Sequence, residues 1–438
     1  MNEIHEFDPI LKRILPNRKP CPGVNYIPSQ FILSFEREKK HYIYNTLTKQ
    51  FLEAELPSSA KAGEGYDFLI ENMFLVPEDR DECTYYESIS SLVRSCFKKT
   101  GIQEYIIMPT LACNARCVYC YEAGMDPVTM SPETIQQTIQ FIRNNHDGKP
   151  VHLRWFGGEP LLRPEIIDQV CIGLKQAGID YKSAMTSNAS LITSEIVKKM
   201  TGLWKLRKIQ VSMDGSEQEY IRRKQYPVYH DEYYTVVRNI NLLVKAGIRV
   251  SIRCNVDEDN CDSLPAFVDD LKEAIRDKEK VTLYCCPLNN VRRSQQCYSV
   301  WQTIIEEIKP QIRHAGFRTS TLSGMGSRFR ASHCMADNNG IVIAPDGSLF
   351  PCEHCPPKAR CGDVLHGITD EKARQSFCSI GPTREKCRKC VFLPACTSFS
   401  NCPVQDVNCK EIRQMAQMEI LYSMLQKQEE SPDDASVC

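Results

Sequence analysis

The sequence predicts an α/β fold of six strand–helix units, with a small α+β unit before them and a cysteine-rich segment after them. Short β-rich runs alternate with amphipathic helical stretches between residues 104 and 286, and the first 97 residues lack this alternation. Ten of the 23 cysteines lie between Cys334 and Cys409. Strands separated by helices form right-handed βαβ units and hence a parallel sheet or barrel. Six units are fewer than a closed eight-stranded barrel requires, so we expect a partial barrel.

The strands of the repeat are predicted from runs rich in β-branched and aromatic residues. They lie at 105–110, 151–156, 181–186, 208–213, 249–255 and 281–286. Amphipathic helices separate them. Ser131 and Pro132 form a favourable N-cap and first helical residue, and isoleucines then recur on one face. A later apolar stripe at 236–244 ends before Gly247, a residue that commonly terminates helices.

The chain divides into four predicted parts. Residues 1–97 show strands at 31–35, 41–45 and 51–54 and helices at 65–72 and 85–97, without a chemically reactive cluster. Residues 98–315 hold the repeat and end in a helical connector at 298–315. Residues 316–410 are the cysteine-rich part, and a Gly/Ser-rich stretch at 323–327 marks its start. Residues 411–438 are predicted as one helix, 411–428, and a frayed tail.

Composition excludes several classes of protein. The 54 Lys and Arg residues balance 55 Asp and Glu residues, which argues against nucleic-acid or anionic-membrane partners. A hydrophobic content of 42% and a charged content of 25% are typical of a globular protein. The sequence has no apolar run of ~18 residues and no secretory signal at its start, so we expect a cytoplasmic protein. In that reducing compartment the cysteines are expected to bind metal and not to form disulfides.

The first reactive cluster consists of Cys113, Cys117 and Cys120, here called the cysteine triad. It directly follows the first strand of the repeat, at the strand end where ligands bind in α/β barrels. Three thiolates can hold three corners of a [4Fe-4S] cluster and leave one iron open for a small molecule. Arg116 is close in sequence and could favour the thiolate forms. A zinc loop, or ordinary core cysteines, is the alternative.

The triad and the residues after the second strand together resemble the radical S-adenosylmethionine (SAM) superfamily. The Cys-x3-Cys-x2-Cys spacing has an aromatic residue before its last cysteine, and Gly157, Gly158, Glu159 and Pro160 match the GGEP motif of that family. The glycines are expected to let the backbone approach the methionine ammonium of SAM. Glu159 is expected to provide a counter-charge. In isolation, such a motif would indicate only a tight turn.

Later strand ends extend the resemblance. Ser187 and Asn188 match a family Thr-Asn-Gly motif, although Ala189 replaces its glycine. Ser212 and Asp214 match a Ser-x-Asp-Gly motif. Ser212 and Asp214 are expected to lie near the ribose hydroxyls and the methionine carboxylate of SAM.

Arginines supply a candidate partner for the carboxylate of SAM. Arg223 is our candidate, but Arg222 is adjacent and either side chain could be solvated. Arg253 and Asn255 on the fifth strand are further candidates for the cleft.

The resemblance implies a fold and a mechanism. The fold is a partial (β/α)6 TIM-like barrel, and the cofactors are SAM and a [4Fe-4S] cluster. SAM binds the open iron, one electron from the cluster cleaves the sulfonium bond, and the resulting 5'-deoxyadenosyl radical removes a hydrogen from the substrate. The protein positions these groups and excludes side reactions.

The second reactive cluster resembles the SPASM extension of radical SAM enzymes. Its pattern joins Cys334, Gly347 and Cys352 to a dense run of cysteines, although Cys402 follows Cys396 by more residues than the family pattern has. Two auxiliary [4Fe-4S] clusters are implied, three clusters in all. The second would be held by Cys387, Cys390, Cys396 and Cys409. The first would be held by Cys334, Cys352 and Cys402, with Cys355, Cys361 or an open site for a substrate thiolate as its fourth ligand. A structural zinc bound by Cys352/Cys355 and Cys387/Cys390 is the alternative.

The implied function is maturation of a ribosomally made, cysteine-rich precursor peptide by thioether formation. Residues 1–97 resemble, loosely, a leader-recognition domain that binds an extended peptide along a sheet edge. An external low-potential electron donor is implied as well. Alternatives are an anaerobic sulfatase-maturing enzyme that makes formylglycine, and a peptide epimerase or carbon–carbon crosslinking enzyme. A non-catalytic iron–sulfur or zinc scaffold would leave the strand-end motifs unexplained.

Overall fold

The α/β class and the partial barrel are confirmed in a computed structural model of the chain. The structure describes residues 2–15, 18–37, 39–96, 101–228, 231–288, 297–320, 329, 339–354, 357–376, 385–396, 409, 417–420 and 422. Across those ranges, none of the helices combines the length and the apolar character needed to cross a membrane.

The front unit, defined as residues 1–97, folds as two small antiparallel sheets with three helices in its described part. The strands are β1 (Asn2–His5), β2 (Asn25–Pro28), β3 (Ile32–Arg37), β4 (Lys40–Asn45), β5 (Phe51–Glu53), β6 (Ala60–Lys61) and β7 (Leu75–Pro77). The helices are α1 (Pro9–Ile14), α2 (Asp67–Glu71) and α3 (Glu82–Cys96). The sheet orders are β1-β5-β4-β3 and β6-β2-β7. Three strands and two helices were predicted, whereas β1, β2, β6, β7 and α1 were not.

The repeat forms the partial barrel. Its strands are β8 (Glu104–Ile107), β9 (Val151–Trp155), β10 (Tyr181–Ser187), β11 (Leu206–Ser212), β12 (Arg249–Val256) and β13 (Val281–Pro287). Its helices are α4 (Pro132–Asn144), α5 (Pro164–Gln176), α6 (Ser194–Thr201), α7 (Glu217–Lys224), α8 (Glu232–Lys245) and α9 (Leu264–Ala274). The six strands pair in parallel and in chain order. All six predicted strands are therefore confirmed.

Local sequence explains how the outer layer forms. The Ser131 hydroxyl accepts a hydrogen bond from Thr134 N at 3.0 Å and caps α4, as the Ser-Pro pair predicted. The apolar faces of the helices pack on the sheet in one continuous core that includes Trp155, Ile209 and Ile252. Because all six strands run in the same direction, their carboxyl ends share one edge, where the predicted motifs meet.

Residues after the repeat extend the same sheet. The predicted connector is helical, as α10 (Cys297–Thr303), a π-helical stretch (Ile304–Ile308) and α11 (Lys309–His314). Then β14 (Gly340–Ile343) pairs in parallel with β8, and β15 (Ser348–Phe350), β16 (Gly362–Asp363) and β17 (Gly367–Ile368) continue antiparallel. The short helices α12 (Glu371–Ser376) and α13 (Glu385–Arg388) follow. These added strands were not predicted.

Gly347 forms the turn between β14 and β15. Its φ is +84°, a left-handed conformation that favours glycine, and a Cβ there would lie 2.8 Å from Val364 Cγ2. The predicted boundary stretch 323–327 and most of the predicted helix 411–428 lie outside the described residues. The described residues 417–420 are helical, and Glu419 forms a 2.7 Å ion pair with Lys309.

Candidate active site

The cysteine triad lies in the loop that follows β8, at the carboxyl edge of the sheet. Cys113 and Cys117 are half-buried against the core and Cys120 is exposed. Burial raises the pKa of the Cys113 thiol to about 11, and the nearby thiolates of Cys117 and Cys120 contribute to this shift. Arg116 Nη1 donates to the carbonyl oxygens of Cys113 and Ala115 at 2.5 and 2.8 Å. Arg116 therefore supports the loop backbone.

Gly157 and Gly158 dock directly against the triad loop. Gly158 N donates to Thr110 O at 3.1 Å. A Cβ at Gly157 would lie 2.4 Å from Thr110 O, and one at Gly158 would lie 2.3 Å from Ala112 O. Both contacts are with backbone, which cannot move aside without displacing the loop. Pro160–Leu162 then form a short 3-10 turn. Positions 157 and 158 require glycine because any side chain there would clash with the backbone of the triad loop.

Glu159 links the ends of β9 and β10. Its carboxylate is fully buried and accepts hydrogen bonds from Leu161 N at 3.0 Å, Ser187 Oγ at 2.9 Å and Asn188 N at 2.8 Å. Burial raises the pKa of Glu159 to about 7, against the effect of these hydrogen bonds. Two oxygens offer about four acceptor positions, so roughly one remains for a ligand. The structure thus brings three predicted site residues together.

Asn114, which sequence reasoning missed, fastens the triad loop to the end of β10. Asn188 Nδ2 donates to Asn114 Oδ1 at 2.7 Å, and Asn114 Nδ2 donates to Ser190 Oγ at 2.9 Å. Ala189 adopts a φ of +63°, the left-handed conformation that the family glycine would provide. Asn239 Nδ2 donates to the Ala189 carbonyl at 2.9 Å and supports this turn.

Asp214 forms a buried ion pair with Lys224, a residue that the sequence analysis also missed. The two side chains are 0% and 1% exposed, and Lys224 Nζ lies 3.0 Å from Asp214 Oδ2. Lys224 also donates to Tyr119 OH at 2.8 Å and to Ser212 Oγ at 2.9 Å. Asn255 N and Nδ2 each donate to Asp214 Oδ1 at 3.0 Å. Although burial would raise the pKa of Asp214, Lys224 and these donors lower it below its usual value.

The two adjacent arginines have opposite environments. Arg222 is half exposed and pairs with Glu219 at 2.8 Å. Arg223 is 1% exposed, and its Nη1 donates to Asp257 at 2.9 Å. Its Nε and Nη2 are buried and have no hydrogen-bond partner among the described residues. Such donors are costly to bury unless a ligand binds them, so the position of Arg223 fits the anionic partner predicted for it.

The two candidates on the fifth strand have different partners. Arg253 Nη2 donates to Cys286 Sγ at 3.4 Å, while Arg253 Nε is buried without a partner in the described part of the chain. Asn255, in contrast, binds Asp214 through both of its nitrogens.

A comparison with protein families explains this arrangement. Residues 107–287 match the family model described as the radical SAM superfamily. The chain contains a radical SAM domain. The match spans β8 to β13, with the triad and all of the strand-end motifs, so this part of the chain is the domain of a radical SAM enzyme. This domain uses SAM and a [4Fe-4S] cluster, and the three thiols of the triad with the free donors of Arg223 fit these groups.

Curated relatives of the radical SAM domain vary in their activities. The chain is similar to the AdoMet-dependent heme synthase of Methanosarcina barkeri, at 28% identity over 64% of this chain and 88% of that protein. It is also similar to the serine-type anaerobic sulfatase-maturating enzyme of Bacteroides thetaiotaomicron, at 26% identity over 37% of this chain and 41% of that enzyme.

Solved structures share the fold of this radical SAM enzyme. Native anSMEcpe with bound AdoMet is similar with a TM-score of 0.61 and 17% identity, covering 74% of this chain and 98% of that one. SuiB of Streptococcus suis bound to the precursor peptide SuiA is similar with a TM-score of 0.51 and 15% identity, covering 86% of this chain and 96% of that one. At these identities the likeness concerns the fold.

Cys352 lies at the end of β15, next to the radical SAM site. Its thiol is half-buried, donates to Glu353 Oε2 at 3.5 Å and accepts from His354 N at 3.4 Å. The His354 ring lies 4.6 Å from the Tyr121 ring, so this loop contacts the residue that follows the triad. Cys361 is fully buried and donates to Leu349 O at 3.4 Å. Cys334, Cys355 and Cys402 lie outside the described residues.

Three of the predicted ligands of the second auxiliary cluster lie in a segment at 387–396 that the front unit covers. Cys387, Cys390 and Cys396 are half-buried, as is Cys409. Between them, Phe392 and Ala395 are 3% and 1% exposed and pack in an apolar cluster with residues of β3, β4 and β5. The members from the front unit are Leu33, Tyr42, Tyr44 and Phe51.

Polar contacts also stabilise the interface between the front unit and the segment 387–396. Thr46 Oγ1 donates to Val391 O at 2.5 Å, Gln30 Nε2 donates to Arg388 O at 3.2 Å, and Arg388 pairs with Asp81 at 3.1 Å. In the described part of the chain, no three His, Cys, Asp or Glu side chains meet the geometry of a site for a single metal ion. The thiols of a [4Fe-4S] cluster need not meet that geometry, because each binds a different iron.

Proposed function

We propose that this radical SAM enzyme modifies a ribosomally made, cysteine-rich peptide and forms thioether links from cysteine sulfur to a peptide carbon. One observation carries the proposal. The front unit, which has no reactive cluster of its own, packs its apolar face on the cysteine segment 387–396. An α+β unit fixed to a cysteine-rich segment of the same chain suits an enzyme that must hold a long, flexible substrate in place.

SAM and three [4Fe-4S] clusters are the proposed cofactors. The cluster held by Cys113, Cys117 and Cys120, together with SAM, would supply a 5'-deoxyadenosyl radical that removes a hydrogen from the substrate. The chain contributes thiolates from the triad, and the two free donors of Arg223 are proposed to hold the carboxylate of SAM. The acceptor position left on Glu159 is proposed to bind the ammonium. The other proposed SAM-site residues are Gly157, Gly158, Pro160, Ser187, Asn188, Ser212 and Asp214.

Thioether formation needs two further steps, a proton loss and an electron transfer. Forming the carbon–sulfur bond breaks one C–H and one S–H bond, so a thiol proton must leave and one electron must be accepted. We assign both steps to the auxiliary clusters. One of these clusters would be held by Cys387, Cys390, Cys396 and Cys409, and the other by Cys334, Cys352 and Cys402. Coordination lowers the pKa of a thiol strongly. The fourth ligand of the first auxiliary cluster, which Cys334, Cys352 and Cys402 would hold, would be Cys355, Cys361 or the substrate thiolate itself.

The leader of the precursor peptide is proposed to add a strand beside β3, which ends the four-stranded sheet of the front unit in the described structure. Hydrogen–deuterium exchange tests this. A leader peptide should slow exchange at residues 32–37 of the full-length protein, and unchanged exchange there rejects the role. We also propose that an external low-potential electron donor reduces the enzyme and that the enzyme is cytoplasmic.

Mass spectrometry of a co-produced peptide tests the reaction. The natural candidates are cysteine-rich open reading frames beside the gene. We expect the loss of two hydrogens per crosslink, a cysteine that iodoacetamide no longer alkylates, and one 5'-deoxyadenosine per bond. The loss of two hydrogens with every cysteine still alkylatable would indicate carbon–carbon crosslinking. An unchanged mass with deuterium from solvent would indicate epimerisation.

Sulfatase maturation is the second candidate, because the fold match to anSMEcpe has the higher TM-score, 0.61 against 0.51 for SuiB. That match covers 74% of this chain, whereas the SuiB match covers 86%. The chain thus has more structure than the sulfatase-maturing fold accounts for. Conversion of a sulfatase-derived cysteine or serine peptide to an aldehyde would favour this alternative.

A further inference from the structure

Lys224 uses all of its hydrogen-bonding capacity inside the protein. It is the last residue of α7, its side chain is 1% exposed, and Nζ contacts Tyr119 OH, Ser212 Oγ and Asp214 Oδ2 at 2.8, 2.9 and 3.0 Å. An ammonium has three N–H donors, and these three acceptors match them. The ammonium is therefore fixed in position and shielded from solvent.

This ammonium is attached to the triad loop at several points. Tyr119, which receives one of its hydrogen bonds, lies between the second and third cysteines of the triad. The carbonyl oxygens of Arg223 and Lys224 accept hydrogen bonds from Val118 N at 3.0 Å and Arg116 N at 2.9 Å. The end of α7 thus contacts the loop through both its backbone and its buried cation.

Asp214 places an opposite charge in the same network. Its carboxylate is 0% exposed, and besides Lys224 it accepts one hydrogen bond from Tyr119 OH and two from Asn255. Those three donors would remain if Lys224 were removed, and they stabilise the ionised carboxylate. Each member of the pair can therefore be neutralised separately while the other keeps its charge.

We propose that Lys224 and Asp214 are positioning residues that set the reduction potential of the cluster held by the triad, with Lys224 raising it and Asp214 lowering it. The inference rests on the triad binding a cluster, as the proposed function requires. Reduction adds one negative charge to the cluster. A buried cation stabilises the reduced form and a buried anion destabilises it, and salt screens such charges little.

The test uses the full-length, reconstituted protein without SAM. The potential is measured by redox titration followed by electron paramagnetic resonance, and the signal is assigned by its absence when the triad is replaced by alanine. We expect Lys224→Met to lower the potential and Asp214→Asn to raise it. Lys224→Arg, which keeps the charge, should stay near the wild-type value. Either variant alone breaks the ion pair, so a purely structural role would shift both potentials in the same direction.

The double variant Lys224→Met/Asp214→Asn keeps the inference testable if a single variant does not fold. It leaves no unpaired buried charge, and its potential should return close to wild type. Shifts of equal sign in the single variants, no shift at all, or a double variant far from wild type would overturn the inference. Failure of the proposed function looks different, since a missing triad signal in the wild-type protein would refute the cluster itself.

Discussion

Phe392 provides a sharp test of the interface between the front unit and the cysteine segment. Its side chain is 3% exposed and lies between Cys390 and Cys396 in sequence. Replacing a buried Phe by Ala costs about 3–5 kcal/mol. At 1.4 kcal/mol for each factor of ten, Phe392→Ala should shift the docking equilibrium of this segment by about two to four powers of ten. We expect it to loosen the proposed second auxiliary cluster while the barrel stays folded.

Iron content measures this effect. The triad is first replaced by alanine, so that only the C-terminal sites bind iron, roughly eight per chain for two [4Fe-4S] clusters. After a challenge with a chelator, Phe392→Ala should retain about half of that iron. The expected half reflects one cluster lost and one kept, since Cys352 lies at the barrel and not at this interface.

Phe267→Ala is the matched control. Phe267 lies on α9 in the main core and is 1% exposed, so its truncation should cost a similar free energy without touching the cysteine segment. Thermal unfolding should show comparable destabilisation for both variants, and only Phe392→Ala should lose iron. Equal iron retention in the two variants would refute the reasoning.

Four further predictions follow from the site. Gly158→Ala should displace the triad loop at a cost of about 1–3 kcal/mol and abolish SAM cleavage, whereas Gly148→Ala, where the structure leaves open space, should cost about 1 kcal/mol in thermal unfolding and keep activity. Arg223→Met should weaken SAM binding measured by calorimetry, and Arg222→Met should not. Replacing the whole triad by alanine should stop 5'-deoxyadenosine formation but leave C-terminal iron, so undiminished product would contradict the assignment. The reconstituted wild type should contain roughly twelve irons per chain, and stoichiometric zinc with about four irons would instead support a zinc-binding C-terminal domain.

The repeat was predictable because its signals are local. Each strand of β8 to β13 is a short apolar run between amphipathic helices, and the motifs lie at or after the strand ends. The position of β14 was not predictable from such signals, because its partner β8 lies more than two hundred residues earlier. The same limit applies to the front unit, where packing on Phe392 involves residues remote in sequence.

Within the candidate site, motif spacing named the candidate residues but could not indicate their hydrogen-bond partners. The sequence suggested that Glu159 faces the ligand, whereas most of its acceptor capacity binds Ser187, Asn188 and Leu161. Lys224 and Asn114 carried no recognisable signal, because their importance comes from contacts across the sheet edge. The choice between Arg222 and Arg223 depends on the orientation of α7, which two adjacent arginines cannot reveal.

The pairing of β14 with β8 has a consequence for how the protein is made. While the ribosome synthesises the intervening residues, one edge of the nascent parallel sheet has no partner, and an open edge can pair with other chains and aggregate. The apolar face of the front unit likewise stays uncovered until residues 392–395 have been synthesised. Such late, long-range closures slow folding. Expression of the chain should therefore improve at low temperature, and variants truncated before residue 340 should aggregate even though they retain every strand of the partial barrel.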